Sequence, residues 1–401
     1  MTLPRDHPRG PVAAFAQLVL CIGLWLVAGC SADEVSDESA GDGADDLVSG
    51  EVEPTSDSTT TTTTIGVSRS QPNILLLIAD DYGVESSACY PELALDRAAP
   101  TPRLAELCEE GVVFENAWSS PTCSPTRAGM LTGRHSFRTG VGEQETRDNS
   151  VSIGPDELTL PRILDSADSG YRHASFGKWH LGGEADNPNV MGWGHFSGLF
   201  TGALRDYESW TKTVDGETET VEQYATTETV DDALGWIGTG EDPWLAWVAF
   251  NAPHTPFHLP PEELHTATLS GEDTDIEANP GVYYDAAMEA LDNEVGRLLD
   301  GLSPEVRSNT VIVFVGDNGS PARVSSHQRG QAKGGLYEGG IHVPLAVSGP
   351  GIVTERSDAL VGTVDIFATV LDMAGIDADH QLASTETDSI SFRDVLVGGE
   401  G

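Results

Sequence analysis

Four short apolar runs each end in residues able to do chemistry. Asn73 to Ala79 (NILLLIA) stops at Asp80-Asp81, and Thr310 to Val315 (TVIVFV) passes through Gly316 to Asp317-Asn318-Gly319. Trp244 to Phe250 leads into Asn251-Ala252-Pro253-His254, and His173 to Phe176 leads into Gly177-Lys178-Trp179-His180. Taken singly, each cluster has an ordinary reading. Asp80-Asp81 suits a turn or a cap, Asp-Asn-Gly is a common turn, His254 and His258 sit among prolines as loop histidines do, and Lys178 and His180 suit a solvated surface. Taken together, three carboxylates and one amide carbonyl are hard oxygen donors of the kind that hold Ca²⁺ or Mg²⁺. No Cys or His cluster has the spacing of a zinc site. A fifth segment, 121–134, reads Pro-Thr-Cys-Ser-Pro-Thr-Arg-Ala-Gly-Met-Leu-Thr-Gly-Arg. Pro125, followed by Ala128, Met130 and Leu131, marks a helix start, and this puts Cys123 where backbone N–H groups and the helix dipole favour an anion. A reactive thiol and a buried structural cysteine both satisfy that spacing.

The elements that must position these residues follow from periodicity. From Gln71 onward, short β-rich apolar runs alternate with helical patterns, which predicts an α/β fold: a large, mostly parallel central sheet with helices on both faces. In open sheets of this class ligands bind beyond the carboxyl ends of the strands, so the four polar clusters are expected to converge on one site. Tyr284, Met288, Leu291, Val295, Leu298 and Leu302 recur at helical spacing around 283–301, as do Ile366, Phe367, Val370 and Leu371, and both sets read as core faces. Thr101 as N-cap and Pro102 in the first turn announce a helix whose apolar face carries Leu104, Leu107 and Cys108. A Cys89–Cys108 disulfide and two buried free thiols are both compatible with the sequence. There is no internal repeat, P-loop or dinucleotide-binding glycine fingerprint.

With 401 residues and 39% hydrophobic content the chain has ample material for a large core. Lys plus Arg total 21 against 64 Asp plus Glu, a net charge of −43, which argues against any grip on nucleic-acid phosphates. Residues 33–68 hold ten acids and no base, yet 69–401 still carry 53 acids and 19 bases, so the folded region is acidic in its own right. Such a surface suits salty surroundings or cation binding. Arg5 and Arg9 precede an apolar run from Val12 to Ala28 with the layout of an export signal. Its ending, Leu26-Val27-Ala28-Gly29-Cys30, resembles a bacterial lipobox, which implies a signal peptide over 1–29 and a lipid on Cys30. An uncleaved anchor or an ordinary signal are the alternatives, and each still exports the protein. Residues 30–70, acidic and ending in the threonine run Thr59 to Thr64, read as a disordered tether to the cell envelope, with 71–401 the catalytic domain.

The 121–134 segment resembles the signature of the type I sulfatases, Cys-x-Pro-x-Arg followed by Thr-Gly-Arg, present here as Cys123, Pro125, Arg127 and Thr132-Gly133-Arg134. The resemblance extends over most of 71–397. It takes in Pro72-Asn73 with Asp80-Asp81 and Gly83, Gly177 to Gly182, Ala252-Pro253-His254, Asp317-Asn318-Gly319 and Lys333 to Gly340. It implies an alkaline-phosphatase-like fold, conversion of Cys123 to Cα-formylglycine by a formylglycine-generating enzyme, and one divalent cation, usually calcium. The implied metal ligands are Asp80, Asp81, Asp317, Asn318 and the modified Cys123. Lys178, His254 and Lys333 match the sulfate-facing cations, and Arg127 and His180 match the groups that hold and deprotonate the formylglycine hydrate.

The reaction so implied is hydrolysis of a sulfate ester of a small molecule or carbohydrate through a covalent intermediate. One hydroxyl of the hydrate attacks sulfur, His254 with Lys333 protonates the departing alcohol, and His180 or Asp317 takes the proton that frees sulfate. Two alternatives use the same residues: a phosphodiesterase or phosphonate monoester hydrolase on this scaffold, and a non-catalytic surface lipoprotein binding calcium or glycans. Two departures stand out. His342 follows Glu-Gly-Gly-Ile where the family often has Arg, which is expected to alter a buried ion pair, while Tyr337 and Glu338 read as structural. The sequence also stops at Gly401, shortly after Ser389 to Leu396, where the family usually continues into a small C-terminal antiparallel subdomain. Absence of that subdomain is therefore expected.

Overall fold

Residues 71–146, 151–240, 243–376 and 386–399 are described by the computed structural model. The expected signal peptide, Cys30 and the tether lie outside the described residues. Among the described residues no helix is long and apolar enough to cross a membrane.

The expected apolar runs form strands. They are β1 (Asn73–Ala79), β2 (Val112–Trp118), β3 (Arg172–Gly177), β4 (Phe196–Gly198), β5 (Trp210–Val214), β6 (Glu217–Val221), β7 (Trp244–Ala249), β8 (Thr310–Gly316), β9 (Leu345–Ser348) and β10 (Glu355–Gly362). They make one ten-stranded sheet in the order β10-β2-β9-β8-β1-β7-β3-β4-β5-β6. The central strands β8, β1, β7, β3 and β4 are all parallel. Only β9 and β5 run against the common direction. The mostly parallel sheet expected from the sequence is therefore present, and the carboxyl ends of β1, β8, β7 and β3 lie side by side at one edge.

Both faces of the sheet are covered, which is why the central strands are continuously apolar. On one side Ile74, Leu76 and Ile78 pack with Met130 and Leu131 of α2 (Cys123–Thr132) and with Ile366, Phe367, Val370 and Leu371 of the Ile366–Met373 helix. On the other, Leu75 and Leu77 pack with Leu104 and Leu107 of α1 (Pro102–Glu110) and with Tyr284, Met288, Leu291, Val295 and Leu298 of the Pro280–Asp300 helix. Each such fully buried aliphatic contributes about 1.5–3 kcal/mol. Both helical stripes read from the sequence are core faces, as expected.

Two local details differ from the sequence reading. Thr101 precedes α1, but its side chain makes no capping bond; the first-turn N–H groups of Arg103 and Leu104 instead donate to Asp292 of the Pro280–Asp300 helix, at 3.1 and 2.8 Å. A carboxylate from another helix does the work assigned to the local hydroxyl. Tyr337 is 61% exposed and the Glu338 side chain is also mostly in solvent, so neither side chain packs as a structural residue would. What packs there is backbone: a Cβ on Gly319 would lie 1.9 Å from the Gly339 carbonyl oxygen. His342 is buried against Trp118, with ring centroids 4.8 Å apart, and its Nε2–H donates to the Glu115 carbonyl at 2.9 Å. Its Nδ1 lies 3.7 Å from Glu338. Of the two arrangements open to Cys89 and Cys108, the structure has the disulfide.

Candidate active site

Each strand end delivers one part of the site. β1 emits Asp80 and Asp81, and Asp81 adopts a left-handed backbone at φ 67°. That conformation costs a non-glycine residue energy and is retained where the surroundings enforce it. Here Tyr284 donates its hydroxyl to the Asp81 carbonyl at 2.9 Å, and the Asp81 N–H donates to Asp317 Oδ1 at 3.0 Å. β3 ends at Gly177, whose φ of 78° turns the chain toward Lys178 and His180; a Cβ there would meet the Ala249 carbonyl oxygen at 2.0 Å. His180 is likewise left-handed, at φ 58°. β8 delivers Asp317 and Asn318, and β7 leads to His254. Cys123 opens α2 with Thr122 as its N-cap residue, so the helix starts at the cysteine itself. The Lys333 loop is tied in by its own backbone: Lys333 N–H donates to the Ser320 carbonyl and Gly334 N–H to the Pro121 carbonyl.

These residues meet around Cys123. Its Sγ lies 3.4 Å from Asp80 Oδ1, 3.9 Å from Asp81 Oδ1, 3.4 Å from Lys178 Nζ and 3.6 Å from Lys333 Nζ. Lys178 pairs with Asp80 at 2.5 Å and Lys333 with Asp81 at 2.5 Å. Arg127 donates through Nε and Nη2 to Asp317 Oδ2, at 3.1 and 2.8 Å, and through Nη1 to the Lys178 carbonyl at 2.8 Å. His254 donates Nδ1–H to the Thr255 carbonyl at 2.7 Å, which leaves Nε2 facing Asp81 Oδ2 at 3.7 Å. His180 donates from Nε2 to the Glu145 carbonyl at 2.9 Å, and its buried Nδ1 has no partner among the described residues. His180 thus forms a wall beside Lys178 and Arg127 and makes no hydrogen bond to Cys123. Asp80, Asp81, Arg127, Lys178, Asp317 and Asn318 are buried; Lys333 and His254 retain the most solvent contact, so the site opens on their side.

Electrostatics follow from packing three carboxylates and three cations into one dry volume. Burial alone would raise the Asp81 carboxyl, but Lys333, His254 and Lys178 outweigh it and hold the group well below the usual carboxylate range. Asp317 goes the other way, raised to about 6 by burial and by Asp80 beside it. Burial lowers His254 to about 4, with Lys178 and Lys333 working against the opposing pull of Asp81. Burial, then Lys178, puts His180 well below the ordinary histidine value. Burial, with Asp317 and Asp80, pushes the Cys123 thiol far above the ordinary cysteine range. A thiol so held is neutral and a poor nucleophile.

The donor set fits a hard divalent ion. Ligand atoms of Asp80, Asp81, Cys123 and His254 lie within 4.8 Å of one another. Asn318 donates Nδ2–H to Asp81 Oδ1 at 2.8 Å while its buried Oδ1 has no partner among the described residues, a carbonyl oxygen suited to a cation. Of the five expected ligands, Asp80, Asp81 and Cys123 fall in that close group together with His254, whereas Asp317 directs one oxygen to Arg127 and the other to the Asp81 N–H. All ten site residues expected from the sequence lie at this edge of the sheet. Tyr284 was legible only as a core residue, and Tyr207, which donates its hydroxyl to the Asn251 and His254 carbonyls at 2.8 and 2.7 Å, had no sequence signal.

Comparison with known proteins agrees with this geometry. The sulfatase family profile matches residues 72–376. The chain is 30% identical over 345 residues to human N-acetylgalactosamine-6-sulfatase, a match covering 76% of this chain and 62% of that enzyme. It is 26% identical over 431 residues to the uncharacterized sulfatase YdeN of Escherichia coli, covering 93% of this chain and 73% of YdeN. The fold superposes on the PsFucS1 sulfatase from Pseudoalteromonas sp. with a TM-score of 0.69 at 24% identity, covering 82% of this chain and 73% of that one. A profile match over most of the folded region, with curated relatives of the same kind, shows that the chain belongs to the sulfatase family, whose members are sulfuric ester hydrolases.

Proposed function

We propose that this protein hydrolyses sulfate esters to an alcohol and inorganic sulfate, using residue 123 in its formylglycine form and one divalent cation, Ca²⁺ or Mg²⁺. The observation that carries the reading is the placing of Cys123: a buried, neutral thiol at a helix N-terminus between two lysines and two carboxylates. Burial so complete disables a cysteine as a thiolate nucleophile, whereas an uncharged hydroxyl donor at the same point is in reach of every polar group around it. Asp80, Asp81, Asn318 and residue 123 would hold the cation, with Asp317 beside them. When present, the formylglycine hydrate would supply the attacking hydroxyl and the cation would supply Lewis-acid polarisation of the sulfuryl oxygens.

The remaining chemistry belongs to the side chains around residue 123. Lys178 and Lys333, each within 3.6 Å of the 123 side chain, donate to the sulfuryl oxygens as charge develops there. Arg127 neutralises Asp317 and fixes the Lys178 backbone, so the donors are in place before the ester binds. Burial keeps His254 neutral; an anion bound beside it would raise its proton affinity so that it takes up a proton from solvent, and its Nε2, on the open side, then delivers that proton to the leaving alcohol. His180, or the raised carboxyl of Asp317, accepts the proton released at residue 123.

The relative named N-acetylgalactosamine-6-sulfatase supports a sulfated carbohydrate as substrate class. Around this catalytic unit, 71–401, we place an exported precursor with signal peptide 1–29, a lipid on Cys30, tether 30–70 and modification by a formylglycine-generating enzyme. The test compares an aryl sulfate with the matching phosphate ester on protein whose 123 peptide has been verified by mass to carry the aldehyde. Turnover of the sulfate, and its loss in Cys123→Ala, is expected; a preference for the phosphate would overturn the reading.

A further inference from the structure

Two loops reach the more open residues of the site, His254 and Lys333, and each carries an arginine without a partner among the described residues. Loop 199–207 follows β4 and lies against both histidines. Leu199 and Phe200 carbonyls accept from the N–H groups of Trp179 and His180, and a Cβ on Gly202 would be 2.2 Å from His180 Nε2. Tyr207, at the other end of this loop, clamps the His254 carbonyl. Between Gly202 and Tyr207 stands Arg205, exposed and free of any hydrogen bond or ion pair among the described residues. Its neighbour Asp206 is turned to the N–H groups of Glu208 and Ser209, at 2.8 and 3.3 Å. The second loop carries Lys333, and four residues before it Arg329 is also exposed and unpartnered among the described residues.

Among the described residues, free guanidinium groups are few. With 64 acids to 21 bases, a surface arginine has a carboxylate to hand almost anywhere, and most have taken one, such as Arg97 with Asp285, Arg297 with Asp231 and Arg323 with Glu277. Arg393 is likewise unpaired among the described residues but lies at the opposite edge of the sheet, near Pro72 and Asn309 at the starts of β1 and β8. An exposed guanidinium on a loop that contacts the site, in a field that would otherwise repel an anion, is suited to a planar anionic group arriving with the substrate.

We propose that Arg205, together with Arg329 of the Lys333 loop, forms a subsite for a second anionic group of the substrate, a sulfate or a carboxylate. The preferred substrates are then polyanionic sulfated glycans, with simple aryl monosulfates a poorer class. This inference rests on the sulfatase reading. The subsite acts on ground-state and transition-state binding alike, so its signature is in KM and in the choice between substrates.

The experiment measures kcat/KM for a disulfated amino sugar, a monosulfated sugar linked to a uronate, and the monosulfated neutral sugar, on wild type, Arg205→Ala, Arg205→Lys and Arg393→Ala. The expected wild-type preference for a dianionic substrate over the neutral-sugar monosulfate is roughly tenfold, the worth of one charge-assisted contact. That ratio should collapse toward one in Arg205→Ala, return in part in Arg205→Lys, persist in Arg393→Ala and weaken with added salt. The two dianions distinguish sulfate from carboxylate as the group read. A ratio near one in wild type, or an unchanged ratio in Arg205→Ala with turnover retained, would overturn the subsite while leaving the sulfatase reading intact. Failure of wild type on all three esters and on an aryl sulfate would sink both. Thermal midpoints of the variants separate a lost contact from a lost fold.

Discussion

Burial, with Asp317 and Asp80 nearby, opposes ionisation of Cys123 and outweighs the pull of Lys178 and Lys333, and this yields a direct test at the residue scale. Protein made without modification should resist a thiol-alkylating reagent at pH 8 while folded and react once denatured, as read by peptide mass. Rapid labelling of the native thiol would show that the site is more open and less acidic than the geometry gives. Asp80, Asp81, Lys178, His180, His254, Asp317 and Asn318 were readable because each follows the end of an apolar run, where a polar residue has no packing role, whereas Cys123 was marked by a helix start and Arg127 and Lys333 only by the resemblance to the sulfatases. What could not be read was how they divide the work. Asp80, Asp81 and Asp317 are equivalent as letters, yet Lys333 holds Asp81 ionised against its burial, while burial, with Asp80 beside it, raises Asp317 to about 6. That division depends on which cation each carboxylate meets, a property of distances that spacing along the chain does not encode.

At the scale of elements, strands and core helices followed from periodicity, whereas caps and loops that depend on remote partners did not. Thr101 had the right type and place for an N-cap, but α1 is capped by Asp292, 188 residues away from Leu104. Burial raises the Asp292 carboxyl to about 6, with the Leu104 and Arg103 N–H groups resisting. Because the folded value exceeds the unfolded one, the associated stability is fully present below about pH 4 and is lost as pH rises through about 6, an effect of up to about 3 kcal/mol. Asp292→Asn should remove this component of the pH dependence in urea titrations between pH 4 and 7, while losing about 1 kcal/mol because an amide oxygen serves only one of the two N–H groups well. An unchanged pH profile would mean the carboxylate titrates normally. Tyr207 is the second such case. It lies in a loop with no period, yet it holds the backbone of His254, and its ring is stacked on His258 at 3.8 Å. Tyr207→Phe should lower kcat roughly tenfold with KM nearly unchanged and distort the pH–rate limb assigned to His254, the pattern of a positioning residue. A uniform fall in active fraction with an unaltered pH profile would instead mark a purely structural part.

For the molecule as a whole, the sheet concentrates negative charge where the chain can least tolerate it. Eight strands run one way, so their carboxyl ends bring Asp80, Asp81 and Asp317 into one buried pocket of a protein whose net charge is already −43. Arg127, Lys178 and Lys333 balance those three carboxylates in formal charge, but Asn318 Oδ1 has no hydrogen-bond partner among the described residues and burial with Asp80 beside it raises Asp317, so the pocket still offers hard oxygens to a cation. A divalent cation binding only the folded form should therefore stabilise it, by about 2.7 kcal/mol at a hundredfold excess over Kd, which for a domain of this size is several degrees in thermal midpoint. Chelation should reverse the gain. Non-specific screening of a highly acidic surface would also raise the midpoint, so the control is sodium chloride at matched ionic strength, together with Asp81→Asn, which keeps the shape of the pocket and removes one hard charge. A Ca²⁺-specific shift that disappears in Asp81→Asn and survives in Asp292→Asn assigns the ion to this pocket. Equal shifts with sodium, or an undiminished Ca²⁺ shift in Asp81→Asn, would place the effect on the acidic surface and take the cation out of the site.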